Sequence, residues 1–364
     1  MTAPRASSSF KLQFISDNAA PICPQVWEAM QRANDDPDTM YALAYGDDPI
    51  TAKATHLIQE RFETDCEVFF VFTGTAANAL ALSSICRSYH GALSHQFGHV
   101  VTDEANAPEF FTGGARLFEV PGSCGRIDPA AVPAFLERGH GIHSAKIRAV
   151  TITQATEAGT FYTPDQIRQI TGLRQRYPDH DLKFHMDGTR FANAMVALDV
   201  PAPKDITWRA GIDVLTLGGT KNGCPASEAI VFFDKTLAHE FAWRRKQAGQ
   251  LASKMRYVSA PWIGMLQGDT WIKNAAHANR QASRLGDALA AIPGVSLPFG
   301  VETNAVYVQL PDFLAGALAD AGWRFVHFPH QLNTHRFMCS WCTSDKAVDA
   351  LIDDARDAAG AGGL

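Results

Sequence analysis

The chain of 364 residues carries 38 acidic and 32 basic side chains, a net charge of −6, and is 46 % hydrophobic. These values are typical of folded globular proteins, and they exclude a disordered chain, which combines low hydrophobicity with high net charge. The acidic balance disfavours nucleic acid as the main partner, and the lack of any run of ~18 apolar residues disfavours a membrane-spanning helix.

Two helices are predicted in the first 63 residues. Residues 24–35 form a short amphipathic pattern with Pro24 near its start, where proline is tolerated in a helix. A turn-rich segment, YGDDP at 45–49, then leads into a second helix at about 50–63. Apolar residues of this helix recur on one face, at Ile50, Ala54, Leu57, Ile58 and Phe62.

Strand-like and helical patterns alternate in the next part of the chain. The predicted strands are 67–73, 98–102, 115–120, 147–153, 182–186, 213–218 and 229–233. The predicted helices between them are 75–89, 128–138, 163–176 and 189–198. Apolar strands separated by helices are typical of a mostly parallel sheet that is covered on both faces. We therefore predict an α/β fold with a mostly parallel, seven-stranded sheet.

The pattern changes after residue 235. Helices are predicted at 235–250 and 269–292, strands near 304–310, 323–328 and 335–341, and a last helix at 345–359. This order predicts a smaller C-terminal α+β domain. We divide the chain into an N-terminal segment (1–45) that contributes to the active site, a large domain (46–260) and a small domain (261–364).

Cysteine usage and the N-terminus suggest a cytoplasmic protein. Seven cysteines are an odd and sparse set, which is typical of a reducing compartment. The first residues, MTAPRASSSFKLQF, lack the apolar stretch of a secretory signal. Cys339 and Cys342 form a CxxC pair, but no second pair completes a zinc site, so we interpret them as structural and predict no metal.

The first motif of chemical interest follows the strand at 67–73. It reads Thr73-Gly74-Thr75-Ala76-Ala77-Asn78 and precedes an Ala/Leu-rich helix. The free N–H groups and the positive dipole end of a helix N-terminus suit a phosphate. Taken alone, the motif is equally compatible with a threonine that caps the helix.

Two further motifs follow later strands. Asp187 ends the strand LKFHM and begins DGTR, where an aspartate can bind metal, act as a base, pair with a protonated ring nitrogen or merely cap a helix. Lys221 lies in the glycine-rich loop GGTKNG, where partial burial favours the neutral, nucleophilic amine. Taken alone, Lys221 could be a solvated loop residue.

The three motifs together predict pyridoxal 5′-phosphate as the cofactor. Its phosphate needs an anion site, its pyridine nitrogen needs a carboxylate, and its aldehyde needs an amine. The motif at 73–78, Asp187 and Lys221 supply these groups in chain order, and coincidence of all three is a weaker explanation.

The sequence resembles the L-threonine aldolases of the fold-type I (aspartate aminotransferase-like) pyridoxal phosphate-dependent enzymes, and most of all the bacterial low-specificity L-threonine aldolase and phenylserine aldolase group. The matching stretches include FISDNAAPICP, CEVFFVFTGTAANALAL, HMDGTRFANA, DVLTLGGTKNG and RFMCSWCT. The resemblance implies the fold-type I transferase fold. One departure is Thr189, where the family commonly has alanine; its hydroxyl is expected to lie beside Asp187 and Arg190.

The resemblance implies roles for the cofactor-binding residues. Lys221 is similar to the lysine that binds the cofactor aldehyde, Asp187 to the partner of the pyridine nitrogen, and His99 to a histidine that stacks on the ring. The remaining residues implied to bind the cofactor are Gly74, Thr75, Ala76, Arg190 and Thr220.

The resemblance also implies the substrate-binding and catalytic residues. Arg190 and Arg336, with Ser16 and Tyr45, are implied to bind the amino-acid substrate. His99 or His143 is implied to be the general base, directly or through a water. The expected assembly is a homotetramer, a dimer of dimers, in which Lys246 and Arg256 reach a neighbouring subunit's cofactor and Tyr45 does so as well.

The implied reaction cleaves L-threonine, L-allo-threonine or another L-β-hydroxy-α-amino acid, such as phenylserine, into glycine and an aldehyde by breaking the Cα–Cβ bond. The small-molecule partners are thus an amino acid and an aldehyde. Three alternatives stay open: another reaction on this scaffold, such as β-elimination or transamination; a non-catalytic binding protein with the same fold; and, less well supported, a metal-dependent aldolase.

Overall fold

The computed structural model describes residues 13–139, 141–199 and 202–362, so residues 1–12 of the predicted N-terminal segment and residues 363–364 of the predicted small domain lie outside it. The strands of the described chain are β1 Glu67–Val71, β2 His90–His95, β3 Arg116–Val120, β4 Gly122–Ser123, β5 Arg126–Ile127, β6 Lys146–Thr153, β7 Lys183–Gly188, β8 Val214–Gly218, β9 Glu228–Phe232, β10 Ala305–Gln309, β11 Val326–His327 and β12 Thr334–Met338.

The helices of the described chain are α1 Pro24–Asp35, α2 Pro37–Met40, α3 Pro49–Phe62, α4 Gly74–Ile85, α5 His99–Thr102, α6 Ala107–Thr112, α7 Pro133–Leu136, α8 Pro164–Thr171, α9 Leu173–Arg176, α10 Phe191–Leu198, α11 Phe241–Gln247, α12 Arg256–Leu266, α13 Thr270–Ala290, α14 Asp312–Asp320 and α15 Asp345–Ala361. Within these residues no helix combines the length and the apolar character needed to cross a membrane.

The large domain is built on a seven-stranded sheet in the order β1-β9-β8-β7-β6-β2-β3. Strands β8, β7, β6, β2 and β3 run parallel, and β9 is antiparallel to both of its neighbours. The predicted mostly parallel, seven-stranded sheet is therefore confirmed. The pairing places Asp187, near the end of β7, between Thr153 of β6 and Thr216 of β8, at the carboxyl edge where α/β proteins bind ligands.

One predicted strand, at 98–102, is wrong. His99–Thr102 forms the one-turn helix α5, and the strand is His90–His95 instead. That segment, HGALSH, shows only two strongly apolar side chains, yet all six residues are buried between β3 and β6. A Cβ added at Gly91 would lie 2.6 Å from the Phe118 ring and 2.7 Å from Ile147 Cδ1, so the small residue lets neighbouring strands cover this one. Sheet pairing, and not local hydrophobicity, selected the strand.

The small domain contains the antiparallel sheet β10-β12-β11, covered by α14, α15 and the second half of α13. Phe14 of the N-terminal segment packs into its core, with its ring 5.9 Å from that of Trp323. The Phe14 amide donates to Arg324 O and its carbonyl accepts from Met338 N. These contacts fix the next residues, Ser16 and Asp17, between the two domains.

The two domains share α13, a helix of 21 residues. Ala275 packs in the core of the large domain, whereas Ala282, Leu285 and Leu289 pack in that of the small domain. Helix α12, which includes residue 261, lies wholly in the large core. The hydrophobic cores thus change inside α13, whereas we placed the boundary between residues 260 and 261. No linker marks the change, because the helix continues across it.

Candidate active site

A cavity of about 440 Å³ lies where the carboxyl edge of the sheet meets the N-terminal segment and the small domain. Five residues predicted from the sequence line it: Ser16, His99, Arg190, Lys221 and Arg336. We call the large-domain groups beneath the cavity, Asn78, Glu104, Asp187 and the turn that carries Lys221, the floor. We call the small-domain side chains Tyr307, Phe328, His330 and Arg336 the wall.

Lys221 sits in the 3-10 turn Thr220–Asn222 directly after β8. The strand end is tightly packed, since a Cβ added at Gly218 would lie 2.3 Å from the carbonyl oxygen of Thr189. The buried Glu228 accepts a hydrogen bond from Gly219 N at 2.7 Å and so fixes the start of the turn. Burial raises the pKa of Glu228 to about 7. This carboxylate was not predicted from the sequence, because Glu228 belongs to the otherwise apolar strand β9.

Asp187 is 1 % exposed at the centre of the floor. Its Oδ1 accepts from Thr189 N at 3.0 Å, and its Oδ2 accepts from Asn78 Nδ2 at 2.9 Å. Burial by itself would raise the pKa of Asp187, but the nearby positive charges of His99 and Lys221 outweigh it and keep the pKa below its ordinary value. Asp187 is therefore an ionised carboxylate in a nearly dry environment.

Asn78 and Glu104 link Asp187 to His99. Asn78 Nδ2 also donates to Glu104 Oε1 at 2.7 Å, and the same oxygen lies 2.8 Å from His99 Nδ1. Asn78 was named only as the last residue of the motif at 73–78, and Glu104 was not singled out from the sequence. The available signals were an asparagine within the Ala/Leu-rich helix α4 and an acid five positions after His99.

We call the N-terminus of α4, where the sequence predicts a phosphate site, the cup. Thr73 caps the helix by accepting from Ala76 N at 3.2 Å, so the amide of Ala76 is already used. Within the described chain, the amides of Gly74 and Thr75 have no recorded partner. A Cβ added at Gly74 would lie 3.3 Å from Thr189 Cγ2, which shows that the methyl group of Thr189 approaches the cup. The Thr220 hydroxyl instead donates to Pro225 O and holds its own loop.

Arg190 is held by a carboxylate that the sequence reading did not assign. Its Nε and Nη2 donate to the two oxygens of Asp17 at 2.8 and 3.0 Å, and both side chains are buried. Its Nη1 lies 3.9 Å from Glu157 Oε2. Burial raises the pKa of Asp17, but Arg190 and Lys221 reverse the effect and hold it low. Two of the three guanidinium nitrogens are thus already committed, which limits direct contact with a substrate carboxylate.

Arg336 differs from Arg190 in having no carboxylate partner among the described residues. It lies on β12, and its Nη2 donates to Ile15 O at 3.1 Å while its buried Nε has no partner. An arginine in a cavity with unused donors is suited to bind a carboxylate group.

Aromatic side chains complete the cavity. The Phe97 and Phe328 rings are 5.4 Å apart, Tyr307 lies 5.0 Å from Phe328, and His330 stacks on Phe97 at 4.7 Å. Phe97 follows β2, and the others come from the wall. This aromatic surface was not predicted from the sequence, because its members lie far apart in the chain, with 233 positions separating Phe97 from His330.

The structure does not bring four predicted residues to the cavity of the same chain. His143 is exposed in the 3-10 turn Gly141–His143, before the amino end of β6 and thus at the opposite edge of the sheet. Tyr45 is half exposed, and the Lys246 ammonium lies 4.9 Å from its ring centre. Arg256 donates to the carbonyl of Thr39. Any role of these residues at a cavity requires a second copy of the chain.

The remaining residues fit pyridoxal phosphate. Among the described residues no cation makes a hydrogen bond to Asp187, so its buried charge is suited to a protonated pyridine nitrogen. The unused amides of Gly74 and Thr75 at a helix N-terminus are suited to the phosphate. Lys221 faces the cavity and offers its amine.

Comparison with known proteins agrees with this geometry. The family model described as beta-eliminating lyase matches residues 13–312. A low specificity L-threonine aldolase from Pseudomonas sp. (strain NCIMB 10558) is 48 % identical over 94 % of this chain and 97 % of its own length. The protein of the same name from Pseudomonas aeruginosa is 48 % identical over 96 % of this chain and 98 % of its own.

A solved structure gives the same result. The threonine aldolase of Leishmania major superposes with a TM-score of 0.87 at 25 % identity, covering 95 % of this chain and 99 % of its own. These matches confirm the expected fold and the expected cofactor. The chain belongs to the beta-eliminating lyase family and, within it, to the threonine aldolases, which are pyridoxal phosphate-dependent lyases.

Proposed function

We propose that this protein is a low-specificity L-threonine aldolase that cleaves L-threonine, L-allo-threonine and related L-β-hydroxy-α-amino acids into glycine and an aldehyde. The observation that carries the proposal is the placement, around one cavity, of Lys221, a buried ionised Asp187 and Arg336, which has no carboxylate partner within the described part of the chain. The near full-length similarity to aldolases of this name supports the choice of substrate.

The floor would hold the cofactor. Lys221 would bind its aldehyde, Asp187 its pyridine nitrogen, and the amides of Gly74 and Thr75 its phosphate. When bound, pyridoxal phosphate supplies an electron sink for the pair of electrons released at Cα. The burial of Asp187 keeps water from weakening its charge interaction with the ring nitrogen.

The wall would orient the amino acid. Arg336 has unused donors for the substrate carboxylate, and Ser16 lines the cavity beside Ile15, whose carbonyl Arg336 contacts. Two hydrogen-bonding side chains on the carboxylate would fix the rotation of the substrate about its Cα and so select the bond that breaks. Arg190 acts mainly by keeping Asp17 and the N-terminal segment in place.

His99 is the residue of the described cavity best suited to take the β-hydroxyl proton. Its Nδ1 is engaged by Glu104, and the ring lines the cavity. Burial opposes the charged ring, but the hydrogen bond with Glu104 and the charges of Asp187 and Glu157 outweigh it and raise the pKa of His99 above its ordinary value. Proton transfer by a positioned histidine contributes ~10²–10⁴ in rate.

The family description also names β-elimination, which is the second candidate function. Elimination from threonine would release ammonia and a 2-oxo acid, whereas the aldolase reaction releases glycine and acetaldehyde. Incubation with L-threonine, L-allo-threonine and both phenylserine diastereomers, with all four products measured, separates the two reactions. Aldehyde and glycine in equal amounts are expected, and ammonia without glycine would contradict the proposal.

Lys221→Ala tests the chemistry itself. We expect aldehyde release to fall by ~10³-fold or more and the visible absorbance of the purified protein to disappear. Lys346→Ala, on the exposed face of the distant helix α15, is the matched control and should leave both unchanged. Retention of colour and turnover by Lys221→Ala would refute the assignment.

We propose that the sites are shared between copies in a dimer of dimers. Support comes from the exposure of Tyr45, Lys246 and His143 outside their own cavity, and from the exposed apolar residues Met40, Tyr41 and Leu43 next to Tyr45. Light scattering should show a tetramer. A fully active monomer would contradict a shared site.

Mixing two inactive variants tests this sharing directly. If His143 acts across an interface, the His143→Asn and Lys221→Ala variants complement each other, because a mixed pair contains one cavity with both native residues. Co-expression with two affinity tags isolates mixed assemblies. Their aldehyde release should exceed that of either variant alone. Mixed assemblies no more active than their parents would contradict the role of His143.

We also propose a cytoplasmic location, for which the support is chemical. All seven cysteines are unpaired, and Cys23, Cys66, Cys86, Cys224 and Cys339 are buried as thiols. A protein with this pattern is suited to a reducing compartment. Cell fractionation with an antibody against the chain is the corresponding test.

A further inference from the structure

A chain of hydrogen bonds beneath the cavity connects two groups with different roles. His99 Nδ1 lies 2.8 Å from Glu104 Oε1, Asn78 Nδ2 donates to that oxygen at 2.7 Å, and the same nitrogen donates to Asp187 Oδ2 at 2.9 Å. The family resemblance implies roles for His99 and Asp187, but it implies none for the two residues between them.

Glu104 occupies a costly position for a carboxylate. The residue is 4 % exposed, and its Oε2 is buried with no hydrogen-bond partner among the residues that the structure describes. A buried carboxylate is stable only where a partner offsets its loss of hydration. Here that partner is the His99 ring.

The backbone beside Glu104 is strained as well. Ala105 and Asn106, in the turn between α5 and α6, have φ values of 48° and 60°. This left-handed conformation is sterically unfavourable for alanine. The turn is held in this conformation by its surroundings, with Glu104 pointing under the cavity. Strain of this kind is concentrated at functional sites.

Asn78 fits between two carboxylates because an amide nitrogen carries two hydrogens. One hydrogen is donated to Glu104 Oε1 and the other to Asp187 Oδ2. The Asn78 amide group therefore lies between the two carboxylate oxygens. The reversed amide would place Oδ1 against both carboxylates, so the hydrogen bonds determine its orientation. An aspartate here would bring three negative groups together.

We propose that Glu104 is a positioning residue that holds His99 as the tautomer protonated on Nδ1, with Nε2 directed to the cavity, and that Asn78 couples this pair to Asp187. The assignment of Nε2 as the proton acceptor rests on the proposed aldolase function. The tautomer and the coupling do not, since they follow from the hydrogen bonds alone.

Four charged groups face His99 and set its protonation. They are Glu104, Asp187, Glu157 and Lys221, and the first three favour the charged ring while Lys221 opposes it. Burial raises the pKa of Glu104, and the hydrogen bonds from His99 and Asn78 only partly offset this. Replacing Glu104 by a neutral side chain removes the strongest interaction that favours the proton on His99.

The test uses nitrogen NMR of protein labelled with ¹⁵N-histidine, recorded without and with cofactor and assigned by loss of one signal set in His99→Gln. In the native protein we expect His99 above its pKa to carry the proton on Nδ1, with an unprotonated Nε2. In Glu104→Gln the pKa of His99 should fall by ~1 unit or more, and the ring should become a mixture of tautomers. Glu104→Asp keeps the negative charge, so the pKa of His99 in this variant should lie close to its value in the native protein.

Glu109→Gln is the matched control, because Glu109 is a nearby acid on α6 whose Oε2 is also buried and has no partner in the described ranges. It should leave the His99 signals unchanged. If the neutral His99 ring of the native protein carries its proton on Nε2, the proposal is wrong, and this result does not depend on the folding of any variant. An unchanged His99 pKa in Glu104→Gln would overturn it too.

Kinetics separate this proposal from the proposed function. The acidic limb of the kcat/KM profile for aldehyde release should shift to lower pH in Glu104→Gln, with kcat reduced and KM nearly unchanged. If the native protein releases no aldehyde from any hydroxyamino acid while His99 shows the expected tautomer and shift, the aldolase function fails and the positioning role of Glu104 stands.

Discussion

The floor and the wall of the cavity differ in how their charged groups are paired. In the floor, Asp187 is bound by Asn78 and Thr189, and Glu104 by Asn78 and His99, although Glu104 Oε2 has no partner among the described residues. In the wall, Arg336 has no charged partner among the described residues, and the remaining surface is aromatic. A preorganised floor is suited to one constant ligand, whereas a wall with unused donors and adaptable apolar surface is suited to substrates that vary.

The largest expected effect concerns the buried ion pair next to the floor. Asp17→Asn leaves the Arg190 guanidinium without its bidentate partner, and we expect a loss of about 3–5 kcal/mol in the free energy of unfolding. Thermal unfolding measures it. Asp165→Asn, which breaks the exposed pair with Arg168, should change little. Equal effects of both substitutions would show that burial of the Asp17 pair is unimportant.

The second prediction concerns the pH dependence of stability that Glu228, the buried carboxylate that fixes the turn of Lys221, should cause. Because the pKa of Glu228 is raised to about 7, the folded protein binds more protons than the unfolded chain between pH ~4.5 and 7, and stability falls as pH rises through this window. Glu228→Gln removes the effect, which amounts to roughly 3 kcal/mol at most. The variant should therefore gain in Tm relative to the native protein at pH 8 more than at pH 5.

Glu119→Gln is the control for this measurement, since Glu119 is exposed on β3. Its Tm difference from the native protein should be the same at both pH values. A Glu228→Gln variant with an equally flat difference would contradict the raised pKa.

The wall is tested by Arg336→Gln. Loss of a charged hydrogen-bond donor to a carboxylate costs about 1.5–3 kcal/mol, so kcat/KM for L-threonine should fall by ~10–100-fold, mainly through KM. Tm should change little, because Arg336 forms no ion pair with any residue that the structure describes and its hydrogen bond to Ile15 O is to the backbone. Arg356→Gln, on the exposed side of α15, serves as the control. A lower Tm with an unchanged KM would assign Arg336 to structure instead.

The smallest effect is expected at the aromatic surface. Phe328→Ala should lower kcat/KM for phenylserine relative to L-threonine by ~10-fold, because an aryl substituent loses more contact area than a methyl group. Phe299→Ala removes an equal ring that packs behind Phe328 and does not line the cavity. If both variants change the ratio equally, the substituent does not contact Phe328.

Much of the fold followed from the order of apolar segments. Strands β1, β3 and β6–β9 and the long helices α1, α3, α13 and α15 lie close to their predicted positions. Two of the exceptions have a common cause. Strand β2 is weakly apolar by itself and is stabilised by its two neighbours, and the change of domain inside α13 leaves no local mark. Both depend on contacts between distant segments.

The site shows the same division. Lys221, His99, Ser16, Arg190 and Arg336, which the sequence singled out, line one cavity. The partners that decide their chemical state are Asp17, Asn78, Glu104 and Glu228. None was predicted in this role, although Asn78 ends the motif at 73–78 and Asp17 lies in the stretch FISDNAAPICP, because a motif does not show which distant side chains will be hydrogen-bonded. The ion pair of Arg190 with Asp17, which distinguishes Arg190 from Arg336, was likewise not predicted.

The sequence by itself determined the fold class and the cofactor, since a strand order and three short motifs carry that information locally. The tertiary structure alone decided which arginine lacks a carboxylate partner among the described residues, how His99 is held and which predicted site residues lie outside the cavity of their own chain. Those properties depend on burial and on hydrogen-bond partners far apart in the chain, and such partners are chosen only when the segments pack together.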